Sequence, residues 1–250
     1  MQPLFTLESP ARYPGPGPAR APRSDRGTIR ISARDLRGLT LTAEMYAAPY
    51  DLLAAYLGVS EPRLRAILSR WRRAGLVQTG RLAEGPSWAW VTQAGMRALG
   101  FPWQAAPPPL ARLAHNRAVL ACRLWLETGD AYRERGARWR PERALRAEAP
   151  AAGRAHVADA EITWPPDSGS DGEVWGVEVE LSAKGNGRLD AILAGLLARP
   201  YARIAYLCSP QARPVVARAA ARLDGRAAAR LSIRDVPPAA FMPGGGHVAR

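Results

Sequence analysis

The chain has 250 residues, of which 47 % are apolar and 23 % are charged, and this ordinary composition excludes a collagen, a wholly disordered chain and a disulfide scaffold. No uncharged apolar run is long enough to cross a bilayer and no signal peptide is recognisable, so a cytoplasmic protein that does not bind membranes is expected. Lys and Arg total 35 against 22 Asp and Glu, a formal net charge of +13. This excess favours a polyanionic partner, most simply nucleic acid.

The first part of the chain is dominated by helical patterns. Proline, glycine and scattered arginines predict a disordered basic arm over residues 1–30. Residues 31–104 are predicted to fold as three helices, a β-hairpin and a fourth helix, which is the order of a winged helix-turn-helix that binds DNA. The predicted helices are Leu41–Ala48, Tyr50–Leu57, Glu61–Ala74 and a last one from Thr92 through Leu99, and the hairpin strands are Leu76–Gln78 and Ser87–Val91.

A proline-rich linker at residues 105–112 separates this part from a domain predicted over residues 113–236. Strands alternate with helices there, which predicts an α+β or α/β fold, a mixed sheet flanked by helices. Residues 237–250 are expected to be a flexible tail. The predicted elements are a helix at 113–126, an extended segment at 137–145 that turns helical after Pro141, strands at 156–164 and 174–182 around an Asp167–Gly172 loop, a helix at 188–199, a strand at 203–208, a helix at 214–223 and a strand at 231–236.

The segment Glu61–Ala74 has the pattern of a recognition helix. Leu64, Ile67, Leu68 and Trp71 form one apolar stripe at helical spacing, and small residues and arginines occupy the remaining faces. Small residues permit close approach to a major groove while guanidinium groups reach the phosphates on its walls. A solvated arginine-rich helix is the alternative. The predicted DNA-binding residues are Arg63, Arg65, Ala66, Ser69, Arg70, Arg72 and Arg73.

Acidic residues concentrate on two predicted strands of the second domain. Strand alternation places Glu178 and Glu180 on one face, and Asp159 lies on the neighbouring strand. Such carboxylates suit Mg²⁺, and Lys184, the only lysine of the chain, is placed to orient a water or to stabilise charge during phosphodiester cleavage. The alternative is a solvated acidic edge with a lysine that is there by chance. His115 and His156 are weaker candidates for the same site.

Two stretches carry a family resemblance, His156-Val157-Ala158-Asp159-Ala160-Glu161 and Val177-Glu178-Val179-Glu180-Leu181-Ser182-Ala183-Lys184. They resemble the PD-(D/E)xK nuclease fold, and with the winged helix the chain resembles the replication-relaxation family of actinobacterial plasmids and integrative elements. The resemblance implies a restriction-endonuclease-like domain in which Asp159 and Glu178 hold Mg²⁺ and Glu142 adds an earlier acid. Two positions depart from the motif, Ala158 in place of proline and Glu180 in place of lysine.

Three functions follow as hypotheses. The first is a DNA-binding protein of a mobile element whose nuclease-like domain, if active, is a Mg²⁺-dependent endonuclease with Glu142, Asp159, Glu178, Glu180 and Lys184 at its centre. The second is a non-catalytic regulator that binds double-stranded DNA, with a degenerate nuclease-like domain used for dimerisation or DNA clamping; a homodimer stays open. The third is a protein-interaction adaptor.

Overall fold

A computed structural model describes residues 30–148, 156–166 and 172–241. The predicted arm at residues 1–30 lies outside this part except for Arg30, as do nearly all of the predicted Asp167–Gly172 loop and the end of the predicted tail. Within the tail, residues 238–240 form a short 3₁₀ turn.

The first part of the described chain contains four helices and a small sheet. Strand β3 is the middle strand of the sheet and pairs antiparallel with both β1 and β2. The predicted hairpin is therefore present, with a third short strand that the sequence patterns did not indicate. The elements are α1 (Ala33–Glu44), β1 (Ala48–Pro49), α2 (Tyr50–Leu57), α3 (Glu61–Arg73), β2 (Val77–Gly80), β3 (Trp88–Val91) and α4 (Gln93–Ala98).

Helix α1 begins earlier than predicted because a capping box fixes its start at Ser32. The Ser32 hydroxyl accepts a hydrogen bond from the Asp35 amide, and the Asp35 carboxylate accepts one from the Ser32 amide. The helix ends at Glu44 rather than continuing to Ala48, and Tyr46 just beyond it adopts a φ of 65°. A left-handed tyrosine cannot extend a helix, so the expectation of a helix at 41–48 is corrected.

Helices α2 and α3 follow the predicted ranges within one residue. Gly58 ends α2 with a φ of 63°, a left-handed conformation that glycine adopts without steric cost. The chain then turns through Val59 and Ser60 into α3, whose Leu64, Ile67, Leu68 and Trp71 are all buried.

The second part is a mixed sheet flanked by helices, as predicted. Its strand order is β4-β5-β6-β7-β8, with β4, β5 and β6 antiparallel to one another and β6, β7 and β8 parallel. Two short helices, α6 and α10, were not predicted. The elements are α5 (Leu113–Glu127), α6 (Asp130–Glu134), β4 (Arg138–Pro141), α7 (Glu142–Glu148), β5 (Ala160–Trp164), β6 (Glu173–Glu180), α8 (Asn186–Leu197), β7 (Arg203–Cys208), α9 (Arg213–Ala220), α10 (Gly225–Arg230) and β8 (Leu231–Asp235).

The two faces of the five-stranded sheet pack against different helices. Val177 and Val179 of β6 belong to a core cluster that includes the middle of α5 and continues into α1, α2 and α3. Tyr206 of β7 belongs to a second cluster with the apolar residues of α8 and α9. In the described part of the chain, no helix is both long and apolar enough to cross a membrane.

Candidate functional site

The predicted acids lie where β5 begins and β6 ends. Ala160 pairs with Val177 in the antiparallel ladder, so Asp159 and Glu178 occupy the adjacent positions of the two strands. Both side chains are buried, with Asp159 8 % and Glu178 3 % exposed. A buried carboxylate must find a hydrogen-bond or charge partner within the protein, and each of these does.

Asp159 is held by the α5 side of the molecule. Its Oδ1 lies 2.8 Å from Nε2 of His115, near the start of α5, and its Oδ2 accepts a 2.8 Å hydrogen bond from the Val179 amide. Burial lowers the pKa of His115, but the hydrogen bond and the charge of Asp159 outweigh it and raise the pKa above its ordinary value. The imidazole is 28 % exposed, so it connects the buried carboxylate to solvent.

Glu178 is held on the other side of the sheet. Its Oε2 lies 2.9 Å from Nε2 of His156, whose Cβ packs against Gly195 of α8. Burial, and then the charge of Asp159, raise the pKa of Glu178 to about 7 in spite of His156. The pKa of His156 is also raised, because its hydrogen bond to Glu178 and the charge of that group outweigh burial. The pair therefore retains protons up to neutral pH.

The prediction that the two acids hold one Mg²⁺ ion is corrected, because each carboxylate is engaged by a histidine of its own and the described residues contain no group of three or more His, Cys, Asp or Glu arranged to hold a metal ion. Glu178 is in register with Tyr206, on the face covered by α8 and α9. Asp159 bends at the strand start toward His115 of α5, which packs on the face of Val177 and Val179.

Glu142, the predicted third acid, is neutralised by arginines. Its carboxylate accepts from Arg112 at 3.1 and 3.2 Å and from Arg146 at 2.6 and 2.9 Å. A cavity of about 20 Å³ separates Glu142 from His115 and Asp159, which is room for about one water molecule. These ion pairs fix Glu142 at the start of α7, and its predicted catalytic role stays a prediction.

Lys184 and Glu180 neutralise each other. The Lys184 ammonium contacts Oε2 of Glu180, and Oε1 of Glu180 accepts from the Ser182 amide at 3.3 Å. The glutamate that replaces the motif lysine thus engages the lysine that was expected to orient a water. The predicted catalytic roles of both residues stay predictions.

The predicted Mg²⁺ site is corrected on the same grounds. Across residues 30–148, 156–166 and 172–241, no group of three or more His, Cys, Asp or Glu side chains is arranged to hold a metal ion. What remains is two imidazole–carboxylate pairs, His115–Asp159 and His156–Glu178. Such pairs can accept and release protons near neutral pH.

The predicted recognition helix α3 turns its polar face to solvent. Six of the seven predicted residues on it are exposed, and only Arg70 is half-buried. Arg70 donates to Oδ1 of Asp35 at 2.5 Å, a contact that fixes α3 against α1, and its expected role in binding DNA stays a prediction. Arg65 pairs at the surface with Glu61. The exposed residues are Arg63, Arg65, Ala66, Ser69, Arg72 and Arg73.

The sequence patterns did not clearly indicate several residues that contact the predicted acids. His115 and His156 were weak candidates, because a lone histidine carries no spacing signal. Arg112 and Arg146 were not considered; a signal was available for Arg146, since it follows Glu142 by one helical turn and the two form an (i, i+4) pair.

Comparisons with known proteins identify no family. No family model and no curated protein matches the chain. Two solved structures that are similar to it are PigF with SAH, 15 % identical, and the N,N-8-amino-8-demethyl-D-riboflavin dimethyltransferase RosA from Streptomyces davawensis, 16 % identical. Each match covers 81 % of this chain but only 56 % of the PigF chain and 63 % of the RosA chain, so this chain spans less than two thirds of either. Both TM-scores are 0.19, and neither likeness carries an argument about the fold, cofactor or reaction of this chain.

The predicted function of this chain is corrected. A mobile-element protein that cleaves phosphodiesters with Mg²⁺ requires a shared metal centre, and the acids expected to form it diverge onto different partners. The alternative of a regulator built on a degenerate nuclease-like domain is withdrawn with it. The family resemblance itself stays a prediction.

Proposed function

We propose that residues 30–101 form a winged helix-turn-helix through which this protein binds double-stranded DNA. Helix α2, the turn at Gly58 and helix α3 supply the helix-turn-helix, and the β2–β3 hairpin supplies the wing. The partner is inferred from the exposed face of α3, which is the observation that carries the proposal.

The face of α3 suits the major groove of a duplex. Ala66 and Ser69 lie exposed at its centre and are small enough for the helix backbone to approach base edges. Arg63, Arg72 and Arg73 are exposed around them and are available to phosphates on the groove walls.

The internal contacts of α3 leave this face free. Arg70 forms an ion pair with Asp35 on the side of the helix that faces α1. The Arg65–Glu61 pair has side chains 64 % and 55 % exposed, and a pair so exposed contributes little to stability and is easily exchanged for a phosphate contact. The net positive surface of the helix is therefore available to a ligand.

The hairpin adds a second contact with the same duplex. Arg81 is exposed directly after β2, in the loop that connects the two strands. The Gln78 side chain is oriented by a 2.9 Å hydrogen bond from Nε1 of Trp90 to its Oε1, and it lines the groove between α3 and the hairpin together with Arg72. An arginine and an amide donor at this place suit the phosphates beside the groove that α3 enters.

The proposal is tested by fluorescence anisotropy of a labelled duplex with the full chain. The triple variant Arg63→Gln/Arg72→Gln/Arg73→Gln is expected to lose about 10²-fold in affinity, since each phosphate-binding arginine contributes about 1 kcal/mol or more. The matched control is Arg133→Gln/Arg188→Gln/Arg218→Gln, which removes the same charge from exposed positions outside the module.

The control variant separates a specific face from general charge attraction. We expect its affinity for the duplex to lie within about threefold of that of the unmodified protein, because the control loses only the long-range effect of net charge. Equal losses for the two triple variants, or no binding by the unmodified protein, would overturn the proposal and favour an adaptor that binds protein.

A further inference from the structure

A groove of about 1030 Å³ opens on the second part of the molecule, at the end of the sheet where β6 and β7 begin. One wall is a face of α8 that includes Leu193 and Leu197, and the opposite wall is the end of α9 together with α10. Asp159 and Glu178 lie toward the other end of β6, so the groove is separate from the imidazole–carboxylate pairs. Its volume is at the upper end of the range for small-molecule sites.

The floor of the groove is apolar and firmly held. Tyr201 is 5 % exposed, and its hydroxyl donates to Oε1 of Glu161 at 2.9 Å. Gly176 of β6 lies directly beneath it, and a Cβ there would meet the Tyr201 ring at 2.7 Å. The close approach of ring and strand fixes the ring, so the floor is preformed rather than induced.

The acids that line the groove are already engaged. Asp190 pairs with Arg222 at 2.5 Å, and Asp224 caps α10 by accepting from the Ala227 amide at 2.8 Å. Glu173 accepts from Nε1 of Trp175 at 2.8 Å. Four arginines line the groove against these three acids, so its net charge is positive.

Three arginines that line the groove lie outside the Asp190–Arg222 pair and supply that charge. Arg230 is fixed, because its guanidinium donates to the carbonyls of Leu197, Arg199 and Tyr201 at 2.7 to 3.1 Å and so ties α10 to the end of α8. Arg226 lies one helical turn before it on the same side of α10. In the part of the chain that the structure describes, the side chains of Arg199 and Arg226 have no hydrogen-bond or ion-pair acceptor, and both line the groove.

We propose that this groove binds an organic phosphate, a small molecule with a phosphoryl group and an apolar or planar body. The guanidinium forks of Arg199 and Arg226 take the phosphoryl oxygens, since arginine matches their geometry with paired hydrogen bonds. The body of the ligand lies against Leu193, Leu197 and the tyrosine floor. This site is independent of the DNA-binding face, so either proposal can fail alone.

Calorimetric titration of the full chain with ADP, and separately with inorganic pyrophosphate, tests the proposal. ADP carries both a diphosphate and a planar body, whereas pyrophosphate carries only the charge. We expect ADP to bind about tenfold more tightly than pyrophosphate, which corresponds to about 1.4 kcal/mol. Absence of ADP binding, or equal affinity for the two probes, would overturn the site as described.

Matched variants locate the binding. Ala194 is exposed, lines the groove and lies on α8, and Ala191 is exposed on the same helix outside the groove. Ala194→Glu is expected to weaken ADP binding about tenfold by charge repulsion, while Ala191→Glu leaves it unchanged. The double variant Arg199→Gln/Arg226→Gln should lose binding to a similar extent. Far-UV circular dichroism verifies folding, and unchanged ADP affinity in a folded Ala194→Glu variant would place the ligand elsewhere.

Discussion

Asp35 shows how one buried carboxylate can position a helix far away in sequence. It is 1 % exposed, its Oδ2 accepts from the amide and hydroxyl of Ser32, and its Oδ1 accepts from Arg70 at 2.5 Å and from Nε1 of Trp71 at 3.1 Å. The start of α1 is thereby joined to the last turn of α3. The orientation of the exposed arginine face depends on this contact.

Removal of that carboxylate should destabilise the protein markedly. We expect Asp35→Ala to lower the free energy of unfolding by about 3 kcal/mol, because it leaves the buried indole N–H of Trp71 and the half-buried guanidinium of Arg70 without their acceptor. Urea denaturation followed by tryptophan fluorescence measures the change. Asp130→Ala is the control, since Asp130 and Arg133 form a pair with side chains 81 % and 64 % exposed. A loss no larger than that of the control would show that Asp35 does not fix α3.

The imidazole–carboxylate pairs predict how stability varies with pH. The pKa of Glu178 is raised from 4.5 to about 7, so between these values the folded protein holds a proton that the unfolded chain has released. The raised pKa values of His115 and His156 act in the same direction above pH 6.5. The free energy of unfolding should therefore fall, by on the order of 2 kcal/mol, as the pH rises from about 5 to 8.

Glu178→Gln provides the check on this assignment. The glutamine cannot titrate, so the decline between pH 4.5 and 7 should flatten while the contribution of His115 above pH 6.5 remains. Urea denaturation at a series of pH values measures both curves. A variant whose curve keeps the slope of the unmodified protein would show that Glu178 is not the titrating group.

At the scale of the elements, Gly95 allows α4 to approach the hairpin closely. A Cβ on Gly95 would collide with the carbonyl oxygen of Leu76 and would meet Cγ1 of Val91 at 2.6 Å. Because the first of these is backbone, the collision cannot be relieved by a rotamer change. Gly95→Ala should lower the free energy of unfolding by about 2 kcal/mol or more.

Gly187 in α8 is the control position for the Gly95→Ala substitution. A Cβ there has no atom within 4 Å, so Gly187→Ala should leave stability unchanged or raise it by about 0.5 kcal/mol, the helix preference for alanine. Thermal unfolding of the two variants by circular dichroism distinguishes them. If both substitutions are neutral, α4 does not pack as closely as described.

The ranges of α2, α3 and β7 could be predicted because each has a local signal, such as Gly58 after α2 or the uninterrupted apolar run of β7. The early start of α1 depends on reciprocal bonds between Ser32 and Asp35, which the apolar pattern does not reveal. The pairing of β1 with β3 is a tertiary contact of two residues, too short for any periodicity.

The acidic site was predictable only in part. Alternation along β6 correctly placed Glu178 and Glu180 on one face. Asp159 lies just before β5, where its side chain bonds to the Val179 amide and to His115, so strand alternation does not set its direction. A spacing rule assumes a regular strand and therefore could not foresee that Asp159 turns to His115.

At the scale of the whole molecule, the two parts of the chain share one hydrophobic core. Buried residues of α1, α2 and α3 belong to the same cluster as those of α5, β5 and β6. Charged contacts reinforce it, for Arg117 of α5 donates to Asp51 of α2 and Arg123 of α5 donates to Glu44 of α1. The exposed face of α3 is thus carried on a body that is continuous with the sheet.

The charge of the molecule makes salt dependence the most direct test of duplex binding. The net charge is +13, and each phosphate neutralised by an arginine releases a counterion. In a plot of the logarithm of the association constant against the logarithm of salt concentration, Arg72→Gln should reduce the slope by about 1, and Arg218→Gln should leave it unchanged. Equal slopes for the unmodified protein and both variants, or binding that does not respond to salt, would contradict DNA recognition by α3.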